Sequence, residues 1–356
     1  MAKTASRNLT TGSPTRLVIG FLLPLLGGLL FQQLYNMVDT LVVGRFLGMD
    51  ALAGVGSTSS VNFLVLGFCI GICNGFVIPV AQKFGEGDEA ELRRFVANSI
   101  WLSAAFAVVL TVATALLCTP VLRWMNTPDN IFRYAYDYIF VIFLGIPAII
   151  LYNLVSGVIR SLGDSRTPIY FLVLSSLLNV ALDLLAVAVL GMGVSGAAIA
   201  TIASQFFSAI LTLIALLRTQ DSYRLIVSKI RFHRDLLFDI IKIGLPAGLQ
   251  SAMYSISNLL IQSSINSFGT DTIAAWTAYG KVDSIFWMIM GAYGVSITTF
   301  AGQNFGAGKY DRIKKSVRIC LGLAAVTSLF LSFIVLNFGG TILLLFTRDA
   351  NVIHIC

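Results

Sequence analysis

Apolar positions in this chain run in long unbroken stretches instead of alternating with polar ones. Such stretches fall near residues 17–43, 51–80, 96–122, 132–158, 169–191, 194–217, 238–266, 273–301 and 317–346. Each holds about 20 residues or more, enough for a helix to cross a hydrocarbon core of ~30 Å. Ten-residue segments with period-two alternation, the mark of a transmembrane barrel, are absent. The spans are therefore read as helices, whose backbone groups bond to one another in lipid. The pattern predicts an all-α polytopic membrane protein with about nine helices.

Composition agrees: the 356 residues are 57% hydrophobic and 12% charged, with mean hydropathy +0.86, against about 25% charged in soluble domains. The basic residues fix an orientation. With the N-terminus inside, 19 of the 24 lysines and arginines fall in cytoplasmic segments, namely 3–16, 83–94, 160–166, 218–242 and 309–318. Only Arg45, Arg123, Arg133 and Arg348 lie outside, and Lys281 sits within a span. The positive-inside rule therefore predicts a cytoplasmic N-terminus in a multi-pass protein of the cell (inner) membrane. Because the +7 net charge is spread over short loops, it is topogenic and does not form a nucleic-acid patch. Residues 1–16 are polar and the first apolar run exceeds the h-region of a signal peptide, so no cleavable signal is expected. Cys69 and Cys73 share a helix face without further thiols or histidines to complete a metal site. His233 and His354 are the only histidines, which leaves histidine-based catalysis almost nothing to work with.

The chain contains a repeat. LLPLLGGLLFQQLYN (22–36) aligns with GLPAGLQSAMYSISN (244–258), LGMDALAG (47–54) with FGTDTIAA (268–275), and AQKFGEGD (81–88) with GQNFGAGK (302–309), at a shift of 221–222 residues. Both copies run on into a basic helix start, ELRRFV and RIKKSV, so whole hairpins are repeated. Six spans precede the second copy, which gives the copies the same orientation about an axis along the membrane normal. The expected organisation is an N-terminal lobe over 1–217, a cytoplasmic linker over 218–237 and a C-terminal lobe over 238–356. A cavity between the lobes is the natural substrate site. Cys356 corresponds to position 135 of the first copy, so three helices of a plan with two six-helix lobes are missing and the second lobe reads as truncated.

Function is carried by polar residues inside the spans. A carboxylate at the bilayer centre costs about 2.5–3.5 kcal/mol on insertion scales, yet the first span carries Asp39. Gln32, Tyr35, Asn36 and Asp39 fall on one helical face, and Ser175, Asn179 and Asp183 recur at i, i+4, i+8 on the fifth span. Pro24, Gly27 and Gly28 can bend the first helix toward a cavity. Interhelical hydrogen bonding, worth on the order of 0.6 kcal/mol per bond, accounts for Gln32 or Ser175. It accounts poorly for acids where serine would serve, so Asp39 and Asp183 are assigned a cation or proton role.

The strings LYNMVDTLVVG (34–44), AQKFGEGD, RSLGDSRTP (160–168) and NVALDLLAVAVLGMGVSGAAIATIASQ (179–205) resemble the multidrug and toxic compound extrusion (MATE) family over nearly the whole chain. The resemblance implies twelve helices in two lobes and efflux of organic cations in exchange for protons or sodium ions. It is to the branch with its ion site in the N-terminal lobe, similar to DinF and MepA more than to NorM. For that branch it implies an ion-coupling role for Asp39, Asn179, Asp183 and Thr201, whose oxygens are of the hard type sodium accepts. Two departures stand out: the seventh span offers Gln250, Ser255 and Asn258 where NorM-type proteins have an acid, and the fifth-span motif reads LDL (182–184) where LDP is common. Asp283 matches a recurrent eighth-helix position, and with Lys281 two residues away it is read as a structural or cavity-lining pair.

The expected function is therefore an antiporter without catalytic residues and with no cofactor beyond the coupling ion, H+ or Na+. Its expected partners are small organic cations and the lipid bilayer, and it is expected to be a monomer. Tyr35, Asn36, Gln250, Asn258 and Asp283 are candidates for the substrate cavity, with Tyr152, Trp276, Phe286, Met288 and Met290 as a polarizable lining. The alternative is a lipid-linked oligosaccharide flippase of the same architecture, which would line its cavity with several basic residues for a pyrophosphate, where this chain offers Lys281. A membrane enzyme would need a nucleophile with its base or a metal cluster, and the sequence holds no Ser–His, HExxH or clustered-acid arrangement.

Overall fold

The computed structural model describes residues 7–218, 231–266, 268 and 270–343; a few side chains in the second half, Lys281 among them, stand outside that description. Helices account for nearly all of these residues, and the described residues contain no strand. Pro14 opens α1 (Pro14–Leu47), a position where its missing N–H costs nothing. The helix stops at Gly48, whose φ of 89° suits glycine. α2 (Met49–Ser57), α3 (Ser59–Phe76) and α4 (Ile78–Glu86) follow with breaks at Thr58 and Val77. The second apolar run, expected as one span over 51–80, is thus three helices, of which Ser59–Glu86 is long enough to cross.

Gly87 ends α4 in the left-handed conformation, with Gly87 N–H bonded to Phe84 O and Asp88 N–H to Lys83 O. Asp88 then caps α5 (Glu89–Trp124) by accepting the Glu91 N–H at 3.0 Å. The fourth apolar run is α6 (Asp129–Leu144) and α7 (Ile146–Ser161), bent by 46° at Gly145 ahead of Pro147. Asp164 accepts the Arg166 and Thr167 N–H groups at 2.9 and 3.1 Å and so starts α8 (Thr167–Asp183). A π-helical turn, Leu184–Val189, continues α8, and α9 (Gly193–Arg218) returns across the bundle. The second copy of the repeat comprises α10 (Arg234–Asn266), α11 (Thr270–Gly306) and α12 (Tyr310–Leu343). α10 already begins inside the segment expected as linker, of which 219–230 lie outside the described residues. Counting the bent pair as one, nine helical units of the described residues are long and apolar enough to cross a membrane, and the chain is an all-α polytopic membrane protein.

Phe76, Leu122, Ile139, Ile146 and Leu154, each fully buried, centre the main core among α3, α5, α6 and α7. α3 and α10 form the main seam between the two copies. Gly71 and Gly75 on α3 face Gly244, Ala247 and Gly248 on α10; a Cβ on Gly75 would stand 2.5 Å from Gly244 Cα. Small residues four apart on both helices let the backbones approach, the usual device of helices that associate in lipid. The repeat also touches itself. A Cβ on Gly85 would collide with the Gln303 carbonyl, and one on Gly306 with the Gln82 carbonyl. Gln82 and Gly85 are the repeat counterparts of Gln303 and Gly306, so the two segments pack reciprocally about the predicted axis.

Candidate ion-coupling site

α1, α8 and α9 bring the predicted ion-coupling residues to one place. On α8 the polar stripe faces inward: Ser175, Asn179 and Asp183 are all buried. Ser175 and Ser176 both donate back to Leu172 O, so they serve their own helix. Asn179 Nδ2 reaches Thr201 Oγ1 on α9 at 3.5 Å, while Asn179 Oδ1 receives no donor. Asp183 is fully buried and faces the half-buried Asp39 of α1, the two carboxyl groups lying close enough to interact directly. Asp39 Oδ1 and both Asp183 oxygens have no donor.

Two ionised carboxylates are acceptors only, so they cannot bond to each other without a proton or a cation between them. Two unit charges ~4 Å apart repel by about 4 kcal/mol at an effective dielectric of 20. An uncompensated buried charge is costlier still. The donor set matches this demand: two carboxylates, an amide oxygen and a hydroxyl suit a hard monovalent cation, and the carboxylates alone suit a proton.

The surroundings extend the cluster. Tyr138 of α6 is buried within electrostatic range of Asp39, Tyr35 and Asp183. Tyr35 lies within reach of Gln32 and Gln205 and near Tyr152, and Gln205 Oε1 has no donor. Tyr152 in turn neighbours Ser156 and Arg160. Arg160, expected among the cytoplasmic basic residues, turns its side chain back into the bundle toward Tyr152 and Cys73. Side chains lean toward the N-terminus of their helix, and at the end of α7 that direction is inward. Among the described residues Arg160 makes no ion pair.

Of these neighbours, Gln205 is absent from the expected site, although its position one turn beyond Thr201 on the same face was a signal that could have found it. Tyr138 carries no such signal inside the aromatic-rich YAYDYIF.

The remaining candidates are not gathered here. Asn36, Gln250 and Asn258 are exposed. Ser255 is buried and bonds back to Ser251 O at 3.1 Å. Asp283 accepts from Tyr279 at 3.2 Å, and the Lys281 partner expected for it lies outside the described side chains. Met290 packs with Leu22, Leu25 and Tyr293, which makes it core and not lining, since α1 and α11 meet there. Tyr152 is likewise packed on Leu172 and Ala209. Met288, Trp276 and Phe286 are half-buried. Among the described residues no group of three His, Cys, Asp or Glu side chains could hold a metal ion.

The π-turn begins at the residue after Asp183, where the LDP motif would place proline and this chain has Leu184. Leu190 N–H bonds to Leu185 O at 2.9 Å across it. The helix is therefore irregular at this point without a proline, in the form that π-bulges often take at functional sites.

The MatE family profile matches residues 24–185 and 246–356. The chain is 30% identical over 344 residues to the probable multidrug resistance protein YoeA of Bacillus subtilis, covering 94% of this chain and 74% of that protein. It is 27% identical to the probable multidrug resistance protein NorM of Thermotoga maritima, over 95% of this chain and 73% of that one. A FAD transporter of Shewanella oneidensis is 24% identical, over 95% and 76%. Among solved structures, a MOP superfamily transporter from Pyrococcus furiosus shares the fold with a TM-score of 0.91 at 24% identity, over all of this chain and 78% of that one. With the profile covering most of its length and a relative at 30% identity, the chain belongs to the MatE family of membrane transporters.

Proposed function

We propose that the protein is a secondary active multidrug efflux transporter that exports small organic cations in exchange for protons or sodium ions. The observation that carries this reading is the carboxyl pair of half-buried Asp39 and buried Asp183, in which Asp39 Oδ1 and both Asp183 oxygens lack donors and the paired charge calls for a compensating ion. The names of the multidrug resistance relatives support the export of drugs. The basic-residue count supports a cytoplasmic N-terminus.

In this reading Asp39 and Asp183 take up the ion from outside, and Asn179 and Thr201 supply neutral oxygens to it. Loading removes the repulsion between α1 and α8, so the two helices pack differently in the loaded and empty states. Pro24 inside α1 breaks its hydrogen-bond ladder. Gly27 beside it has nothing within 4 Å to oppose a bend, whereas Gly28 is braced by Ile169 of α8. Alternating access follows from the two lobes rocking about the shared axis. The oligosaccharide flippase is the second reading. It is less favoured because a pyrophosphate calls for several cavity-facing basic residues, and among the described residues Arg160 is the basic side chain that turns inward near the cluster.

Efflux of ethidium from energised cells tests the proposal, with a proton or a sodium gradient imposed separately. Faster efflux under one gradient than under none is the expected result. Equal rates with and without both gradients would set the antiporter aside.

A further inference from the structure

Residues 7–12 precede α1 and cross the seam between the two repeat copies, and their backbone is held from both sides. On the first-copy side, Arg7 N–H donates to Leu162 O at 3.1 Å. Gly163, with φ of +84°, sits so close beneath the Arg7 carbonyl that a Cβ would collide with it. On the second-copy side, Leu9 N–H donates to Gln303 Oε1 at 2.9 Å, and Leu9 O accepts from Asn304 Nδ2 at 3.2 Å and Arg312 Nη2 at 3.1 Å. Thr10 O accepts from Lys309 Nζ at 3.0 Å, and Gly12 O from Arg312 Nη1 at 2.8 Å. Gln303 completes the crossing by donating to Ser161 O of α7 at 2.7 Å.

The Leu9 side chain is fully buried among Leu17, Val18 and Phe21 of α1, Phe300 of α11 and Cys320 of α12. It thus sits in a pocket that exists only while both copies are in contact. Lys309 and Arg312 make no ion pair among the described residues. Their charges are spent on strap carbonyls, with Arg312 also over the Phe300 ring at 5.6 Å. Hydrogen bonds from charged donors are the strong kind. Directly beside the strap lie the reciprocal contacts of Gly85 with Gln303 and Gly306 with Gln82.

We infer that residues 7–12 are a latch that holds this end of the bundle closed and must release before the transporter opens there. The inference rests on the alternating-access reading above. If the lobes part at this end, Gln303 cannot keep both Leu9 and Ser161, and the Leu9 pocket is split. An ordinary N-terminal tail would be anchored to one lobe and would ride with it. This one is bonded to both, so lobe separation must break one set of bonds.

The test places spin labels at Ala90→Cys and Lys314→Cys, both exposed and on opposite copies, in a Cys356→Ser background; the four described cysteines are buried. Inter-label distances are read in lipid for the intact protein, for the Lys309→Ala/Arg312→Ala variant and for a form lacking residues 2–12. The expected result is a single short distance in the first and a rise of roughly tenfold in a longer-distance population in the other two. Restoring Lys309 and Arg312 in the double variant should restore the short distance. Distributions that match in all three proteins would overturn the latch, and the deletion guards against a double variant that merely folds poorly. Ethidium efflux measured on the same proteins separates the two readings. Gradient-driven efflux with unchanged distances sinks the latch alone. Shifted distances without gradient-driven efflux in the unlatched or intact protein leave the latch standing and sink the antiporter.

Discussion

Gly85 of α4 lies directly against the carbonyl of Gln303 in α11, with no room for a single methyl between them. Its repeat counterpart Gly306 stands in the same relation to Gln82. The obstructing atom is backbone in both cases and cannot rotate away. Gly85→Ala and Gly306→Ala should each lower stability by about 1–3 kcal/mol, the usual range for overpacking. Gly291→Ala, at a position with nothing within 4 Å, should leave it unchanged or raise it slightly through helix propensity. Thermal melting in one detergent compares the three directly.

Asn98 of α5 is fully buried and exchanges two hydrogen bonds with the His233 backbone, Nδ2 to O at 2.6 Å and N to Oδ1 at 2.7 Å. Arg94 adds an ion pair to Asp235 at 2.6 Å, but both partners are exposed enough to contribute little. Asn98→Ala should therefore destabilise by about 1–3 kcal/mol, because it leaves backbone groups unpaired. Arg94→Ala should cost much less, since solvent screens an exposed pair. Hydrogen exchange at residues 231–235 should accelerate in the first variant and hardly change in the second.

The glycine seam makes a directional prediction. Gly71 and Gly75 meet Gly244 and Gly248, but the repeat counterparts of the latter pair on α1 are Leu22 and Leu26. α3 and α10 are therefore held backbone to backbone, while α1 and α11 are spaced by side chains such as Leu22, Leu25 and Tyr293. Gly75→Leu should abolish folding or markedly reduce the yield of folded protein. Leu22→Ala at the looser contact should cost the 2–5 kcal/mol of an ordinary buried leucine. Yield from membranes and melting temperature distinguish the two.

Much of this was readable in the sequence, and what was not has physical causes. Nine apolar runs gave nine crossing units because bilayer thickness sets helix length. The breaks at Thr58 and Val77 stayed hidden because a continuous apolar run gives the same hydropathy whether or not the helix is interrupted. Gly145 and Pro147 did offer a breaker signal at the bend. Asn179, Asp183 and Asp39 were legible since helical spacing places polar stripes on one face. Tyr138 was not, since a tyrosine among aromatics carries no mark of the acids across from it. The direction of the Arg160 side chain was not legible, because counting charges locates a Cα, whereas the long side chain then chooses its direction.

Thr201→Val keeps the volume of the side chain but removes the hydroxyl that meets Asn179 Nδ2. If sodium is the coupling ion, binding should weaken about tenfold, as loss of one ligand or its support commonly does. If protons are, the variant should retain most of its activity, because a hydroxyl is not needed to protonate a carboxylate. Sodium-dependent shifts in melting temperature for the intact protein and the variant give the answer.

The proposed coupling requires Asp39 and Asp183 to carry the ion together. Purified protein in lipid vesicles, loaded with ethidium and given a proton or sodium gradient, measures it directly when set beside the Asp39→Asn/Asp183→Asn form. Gradient-driven ethidium movement is expected in the unaltered protein and none above the gradient-free rate in the double variant, with ethidium binding retained. Gradient-driven movement that survives both substitutions would contradict it.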